Sequence, residues 1–325
     1  MRIIIKRYMK YFPLALLVFF FSCTSEKKVK DEILAVPVQV KIDRFDEKFA
    51  AATPANLQGL KADYPFLFPQ QFHDSIWIQK TKDTLQKELE SEVSKMFSDF
   101  SNYEEKLILL YKHLKYNFSD FKEPTIITLI SDVDYRNRVV ATDSLVLVGL
   151  DNFLGSDHYF YDEIQRYIAK NLRPEQLTPS IAEALIEPYI TPPKTRTFID
   201  LMVYYGKIAY LKEQVLPLFE EAEIMGYTAE EMDWARANEA EIWRYFVERE
   251  LLYSTDPKLA GRFILPAPFS KFYLELDNES PGMLGQYMGW QIVRAFAQNN
   301  DIDLKQLLAL SGDEIYKNSK FKPRK

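Results

Sequence analysis

The sequence predicts an α+β fold that is mainly helical, with a small antiparallel or mixed sheet at about residues 124–150 packed against many helices. Glycine is scarce, 10 of 325 residues, which leaves little material for glycine-rich loops or turn-dense all-β folds. Apolar residues recur at helical spacing along most of the chain. β-branched residues concentrate instead in residues 125–130, 138–141 and 145–150, separated by Asp- and Asn-containing turns. With 47% hydrophobic and 27% charged residues, the chain suits an ordered protein with a sizeable core and excludes disorder, collagen and coiled coil.

Val38, Val40 and Ile42 alternate with polar neighbours, the period of a half-buried strand opening the domain. Pro65 and Pro69 bracket an aromatic loop, after which Leu85, Leu89, Val93, Met96, Phe97 and Phe100 mark an amphipathic helix. Ser101 with Glu104 reads as a capping box for a second helix carrying Leu107, Leu110, Tyr111 and Leu114, and the two stripes predict that these helices pack together. The β-branched stretch follows, with a hairpin turn at Thr142-Asp143. A polar and aromatic loop from Asp151 to His158 leaves the last strand. Asp151 and Asn152 are candidate binding residues there, because loops on a rigid scaffold often carry function. The competing role for these residue types is turn formation by their own side chains.

From Tyr161 the chain reads as helical, with a stop at Pro174, a start at Thr178-Pro179 and a break between Pro188 and Pro193. Residues 198–211 are apolar or aromatic nearly all round, the mark of a helix enclosed by neighbours. Asp200 and Lys207 lie inside it. A buried lysine needs a partner, and Asp200, Tyr204 and Tyr210 are the expected ones, with snorkelling to solvent as the alternative. Thr228 with Glu231 predicts a capping box for a long helix through Trp234, Trp243 and Leu251. After a loop at 277–282, a helix carries Tyr287, Trp290 and Val293, and a short helical tail ends in the basic stretch 317–325.

Residues 1–22 read as a secretory signal: Arg2, Lys6, Arg7 and Lys10, no acid, then an apolar run over residues 12–21 interrupted only by Pro13. About ten apolar residues are half of the roughly 20 needed for a membrane-spanning helix. The run ends in Phe20-Phe21-Ser22-Cys23, which resembles the lipobox of bacterial lipoproteins, and Cys23 is the only cysteine in the chain. The expected organisation is therefore a signal peptide at 1–22, an acylated tether at 23–32 attached through Cys23, and a single α+β domain at 33–325. Several acyl chains on Cys23 would hold the protein to a membrane almost permanently. Loss of the four cations in the signal takes the formal net charge from −6 to −10. That charge, with no basic stripe interleaved with aromatics, excludes nucleic acid as a partner.

Catalytic chemistry finds few residues to use. A zinc peptidase needs two histidines four apart on a helix with a glutamate between them; His73, His113 and His158 are the only histidines, and all are widely separated. No Gly-x-Ser-x-Gly elbow occurs, and the cysteine belongs to the lipobox. No metal or cofactor is expected. Paired carboxylates stay open, since 47 acidic residues guarantee accidental proximities.

The lipobox at Cys23, Ile42-Asp43-Arg44-Phe45-Asp46, Tyr64-Pro65, Asp151-Asn152-Phe153-Leu154-Gly155, Met202-Val203-Tyr204-Tyr205-Gly206-Lys207 and Ser319-Lys320-Phe321-Lys322-Pro323 together resemble the gliding-motility lipoprotein GldB family of Bacteroidetes. The resemblance covers almost the whole chain. It implies an exported, lipid-anchored protein of the cell envelope, associated with gliding and the envelope machinery, with no established catalytic activity. More faintly, the order of elements is similar to a zinc-peptidase-like (zincin-like) fold in a degenerate form. The helix at 198–211 then stands where relatives of that kind place His-Glu-x-x-His, and neither Tyr205-Gly206-Lys207-Ile208-Ala209 nor the register from Gly206 to Tyr210 supplies a ligand. By that analogy Tyr204, Lys207, Tyr210 and Tyr287 line a vestigial cleft that serves as a partner or ligand pocket. The reading is a non-enzymatic lipoprotein that supports gliding by binding envelope partners. The alternatives are a degenerate or carboxylate-based periplasmic hydrolase and a small-ligand-binding lipoprotein.

Overall fold

The computed structural model describes residues 29–275 and 277–324. The chain is mainly helical, 56% helix, with one four-stranded mixed sheet. Cys23 and the signal segment lie outside the described residues. Asp31–Leu34 is already a helical turn docked on the Ser101–Asn117 helix, where Tyr116 donates to Glu32 at 2.7 Å and Lys112 donates to the Leu34 carbonyl.

The strands are β1 (Ile42–Arg44), β2 (Thr125–Leu129), β3 (Val139–Ala141) and β4 (Leu145–Gly149), in the spatial order β1-β2-β4-β3. β1 and β4 flank β2 in parallel, which requires long crossovers, and β3 closes back antiparallel on β4 through the expected turn, where the Thr142 N–H donates to Leu145 at 2.8 Å. The alternation of Val38, Val40 and Ile42 is present as half-buried extended chain, yet only its end joins the sheet; the ladder runs on through Asp43 and Arg44. Successive strand residues face opposite sides, so Ile126, Val146 and Val148 enter the main core, while Ile127 joins a smaller aromatic cluster of Phe45, Phe49, Tyr64 and Phe68 behind the sheet.

The element that organises everything else is the helix Phe198–Val215. Its first amides are satisfied from outside, Phe198 and Ile199 donating to Ser254 and Leu252 at 2.9 and 2.8 Å, and Thr197 caps the amide of Asp200. It packs most extensively against the helix Leu284–Asn299, and also against Gly312–Asn318, Leu177–Ile186 and Ser101–Asn117. This enclosure explains why the sequence shows no polar face there. The two long helices approach backbone to backbone at Gly206 and Gly289: a Cβ on either glycine would sit inside the main chain of the other helix.

Three local expectations are corrected. Ser101 is inside its helix, not capping it; Asp99 accepts the Ser101 N–H at 2.9 Å instead. The Thr84–Met96 and Ser101–Asn117 helices meet mainly through Phe97, Phe100 and Tyr103 at their junction, the first lying on Phe45–Ala50 and the second on the Leu177–Ile186 and central helices. The capping box of Thr228 and Glu231 forms as expected, but its helix ends at Ala237. Asn238 turns its amide onto the Trp234 carbonyl at 2.8 Å, and a second helix, Glu239–Glu248, begins beyond it.

Candidate functional site

The central helix presents three faces, because residues three and four apart align along it. Met202, Gly206 and Tyr210 face the Leu284–Asn299 helix and form packing, not a site. Two clefts occupy the remaining faces.

The first cleft, about 470 Å³, is walled by Asp200, Tyr204 and Lys207 together with residues 309–314 and Lys317. Lys207 is 2% exposed, and its Nζ donates to the carbonyls of Leu308, at 2.9 Å, and Leu310. The expected partners Asp200, Tyr204 and Tyr210 do not hold it, because backbone acceptors at the end of the Leu304–Ala309 helix reach it first. Asp200 accepts instead from the Thr195 and Thr197 hydroxyls. Burial of an ammonium against neutral acceptors pushes Lys207 down to about 8. Below that pH it is charged in both folded and unfolded chains. Between about 8 and its ordinary 10.5 only the unfolded chain keeps the proton, so the contribution of Lys207 to stability rises with pH. At roughly 1.4 kcal/mol per pH unit, wild type is expected to gain about 2–3 kcal/mol relative to Lys207→Met between pH 8 and 10. Urea unfolding of both proteins across that range checks this; a constant difference is the contrary result.

The second and larger cleft, about 570 Å³, lies where β3, the Leu177–Ile186 helix and the other face of the central helix converge. Tyr205, Ile208, Ala209 and Lys212 reach it from the central helix. Lys212 is buried and pairs with half-exposed Glu183 at 2.9 Å, and the lysine holds the Glu183 carboxyl below its usual range. Arg138 enters from the start of β3. Tyr205 and Ala209 stand four apart on this face, where the two histidines of a His-Glu-x-x-His helix would stand. Gly206, at the glutamate position, faces the companion helix with no room for any side chain. Among the described residues no group of three or more His, Cys, Asp or Glu is arranged to hold a metal ion.

The remaining candidates lie elsewhere. Tyr210 is half-buried on the packing face near Glu213 and Arg294. Tyr287 is fully buried and donates to Glu239 at 2.9 Å, while the other oxygen of Glu239 accepts the Arg324 amide at 2.9 Å, so this pair fastens the C-terminal tail. Asp151 and Asn152 are also buried and belong to the turn leaving β4. Asp151 accepts from the Ser131 and Val133 amides at 2.9 and 2.6 Å and from the Ser131 hydroxyl at 3.1 Å; Asn152 donates to the same hydroxyl at 2.8 Å. Desolvation raises the Asp151 pKa despite these donors. Of the six candidates, only Tyr204 and Lys207 share a cleft. Arg138, Glu183 and Lys212 were not singled out: they are far apart in sequence, and only a second lysine in an apolar helix, Lys212, signalled them.

No curated protein and no solved structure matches this chain. The family described as gliding motility protein GldB matches residues 26–323. That match takes in both clefts and nearly the whole chain, and this protein therefore belongs to the GldB family of gliding-motility lipoproteins of the cell envelope.

Proposed function

We propose that this lipoprotein supports gliding as a non-catalytic binding body, held to the envelope membrane by acyl chains on Cys23 and engaging partner proteins of the motility machinery through its clefts. The observation carrying this reading is that the reactive-looking groups are committed to the fold: Lys207 to two carbonyls, Asp200 to two hydroxyls, Lys212 to Glu183. The helix position that would host a metal peptidase offers Tyr205, Gly206 and Ala209 in place of ligands and base. What remains is two shaped clefts of mixed polar and apolar lining on a rigid helical frame, which suits recognition.

The test is complementation of a gliding strain lacking its own family member. Wild type is expected to restore spreading and to incorporate palmitate; Cys23→Ala is expected to lose the label, leave the membrane fraction and fail to restore spreading. Equal palmitate in both proteins, or turnover of a peptide or glycan by the purified wild type, would contradict the reading.

A further inference from the structure

Arg138 is a cation of the larger cleft with no carboxylate in contact with its guanidinium; Glu183, bonded to Lys212, acts on it only from a distance. Its guanidinium carries five donors in a fixed fork, yet its one protein acceptor is the Asn171 carbonyl at a long 3.4 Å, and its other neighbour is the Phe153 ring at 5.7 Å. No carboxylate lies within 4.0 Å of it among the described residues, while burial in the cleft lowers its pKa. Two further polar groups of the same cleft are orphaned. Ser180 is 8% exposed and its hydroxyl has no partner; the Asn171 side-chain oxygen has none either, although its amide nitrogen is fixed by the Gly226 carbonyl at 3.0 Å. Buried polar groups are ordinarily satisfied, so three under-used ones converging on one cleft point to a ligand that satisfies them.

We infer that this cleft binds a carboxylate carried by a peptide segment of a partner protein, Arg138 taking the carboxylate in its fork, Ser180 donating a further hydrogen bond and Asn171 accepting a peptide N–H. The inference rests on the partner-binding reading and names its ligand chemistry. Charge matching favours a monoanion. Lys212 is paired with Glu183 and Lys170 with Glu231 at 2.6 Å, and exposed Arg136 faces Asp134, which leaves Arg138 as the one lining cation whose fork is open to a ligand. A doubly charged phosphate would exceed what one guanidinium balances and would face Glu183 and Glu187. A peptide is favoured over a small acid because the orphaned Asn171 oxygen calls for a donor, and because Ile168, Ile208, Met225 and Leu265 offer apolar walls to its side chains.

The experiment is fluorescence anisotropy on the full acylated protein in detergent. The probes are a labelled octapeptide of alternating Val and Asp and its counterpart with Asn for Asp, with propionate and inorganic phosphate as competitors. Saturable binding of the acidic peptide is expected, weaker by about ten-fold or more for the Asn peptide and for Arg138→Gln, since charge-assisted bidentate pairs are the strong ones. Arg138→Lys is expected to be intermediate, because it keeps the charge and loses the fork. Ser180→Ala, which removes an unpartnered hydroxyl and disturbs no bond of the fold, is expected to weaken binding several-fold. Absence of saturable binding, equal binding of both peptides, or an Arg138→Gln protein that melts like wild type and binds as well would overturn the assignment. So would displacement by phosphate in preference to propionate, or by propionate at the concentration of the peptide itself. A wild type that binds the peptide and yet fails to restore spreading would sink the gliding role and leave the site standing.

Discussion

Gly289→Ala is expected to prevent the native fold from forming, or to destabilise it by about 4 kcal/mol or more, in the range reserved for severe core disruption. A methyl group at that position would overlap the Met202 carbonyl in the central helix. Both partners are backbone, so no rotamer change relieves the clash; the helices must separate, opening the contact that holds the centre of the molecule. Gly206→Ala meets the Gly289 backbone from the other side and is expected to behave alike. Gly59→Ala supplies the control. It too sits inside a helix, Leu57–Asp63, but a Cβ there meets nothing within 4 Å, so it is expected to be neutral or to stabilise by about 0.5–1 kcal/mol. Urea unfolding followed by circular dichroism separates the three. Near-wild-type stability of Gly289→Ala would mean that the two helices do not cross at these residues.

Asp151→Ala is expected to cost about 3–5 kcal/mol. The carboxylate holds a loop in which two consecutive non-glycine residues, Asp132 and Val133, have φ of 57° and 58°, a left-handed conformation that a β-branched residue adopts only under constraint. Its removal orphans the Ser131 and Val133 amides, at about 1–3 kcal/mol for each buried donor left unpaired. Asp151→Asn keeps an acceptor and is expected to lose about half as much. Hydrogen exchange adds a local signature: the Ser131 and Val133 amides become fast in Asp151→Ala while the central helix stays protected. Unchanged protection of these two amides would remove the role assigned to Asp151.

What the sequence made legible is what local chemistry decides. The lack of a polar face marks the enclosed stretch 198–211, which the structure extends to Val215; Thr142-Asp143 marks the hairpin turn, and the glutamate three residues on marks the Thr228 cap. Long-range partners were not legible. Lys207 is answered by carbonyls about a hundred residues later in the chain, which no spacing rule reaches. Tyr287 carries a buried hydroxyl in an apolar stripe, and nothing near it in sequence reveals that Glu239 would claim it. Ser101 and Glu104 have the right spacing for a capping box, but Asp99, two residues earlier, supplies a better-placed acceptor. Arg138 stands just before β3, and nothing local to it shows that the fold brings it to the same cleft as Lys212 of the central helix.

The most direct test is the gliding of cells whose only family member is Arg138→Gln, expressed and membrane-bound at the level of wild type. A protein that works by gripping a partner in this cleft predicts folded, anchored lipoprotein and cells that do not spread. Spreading at the wild-type rate would contradict it.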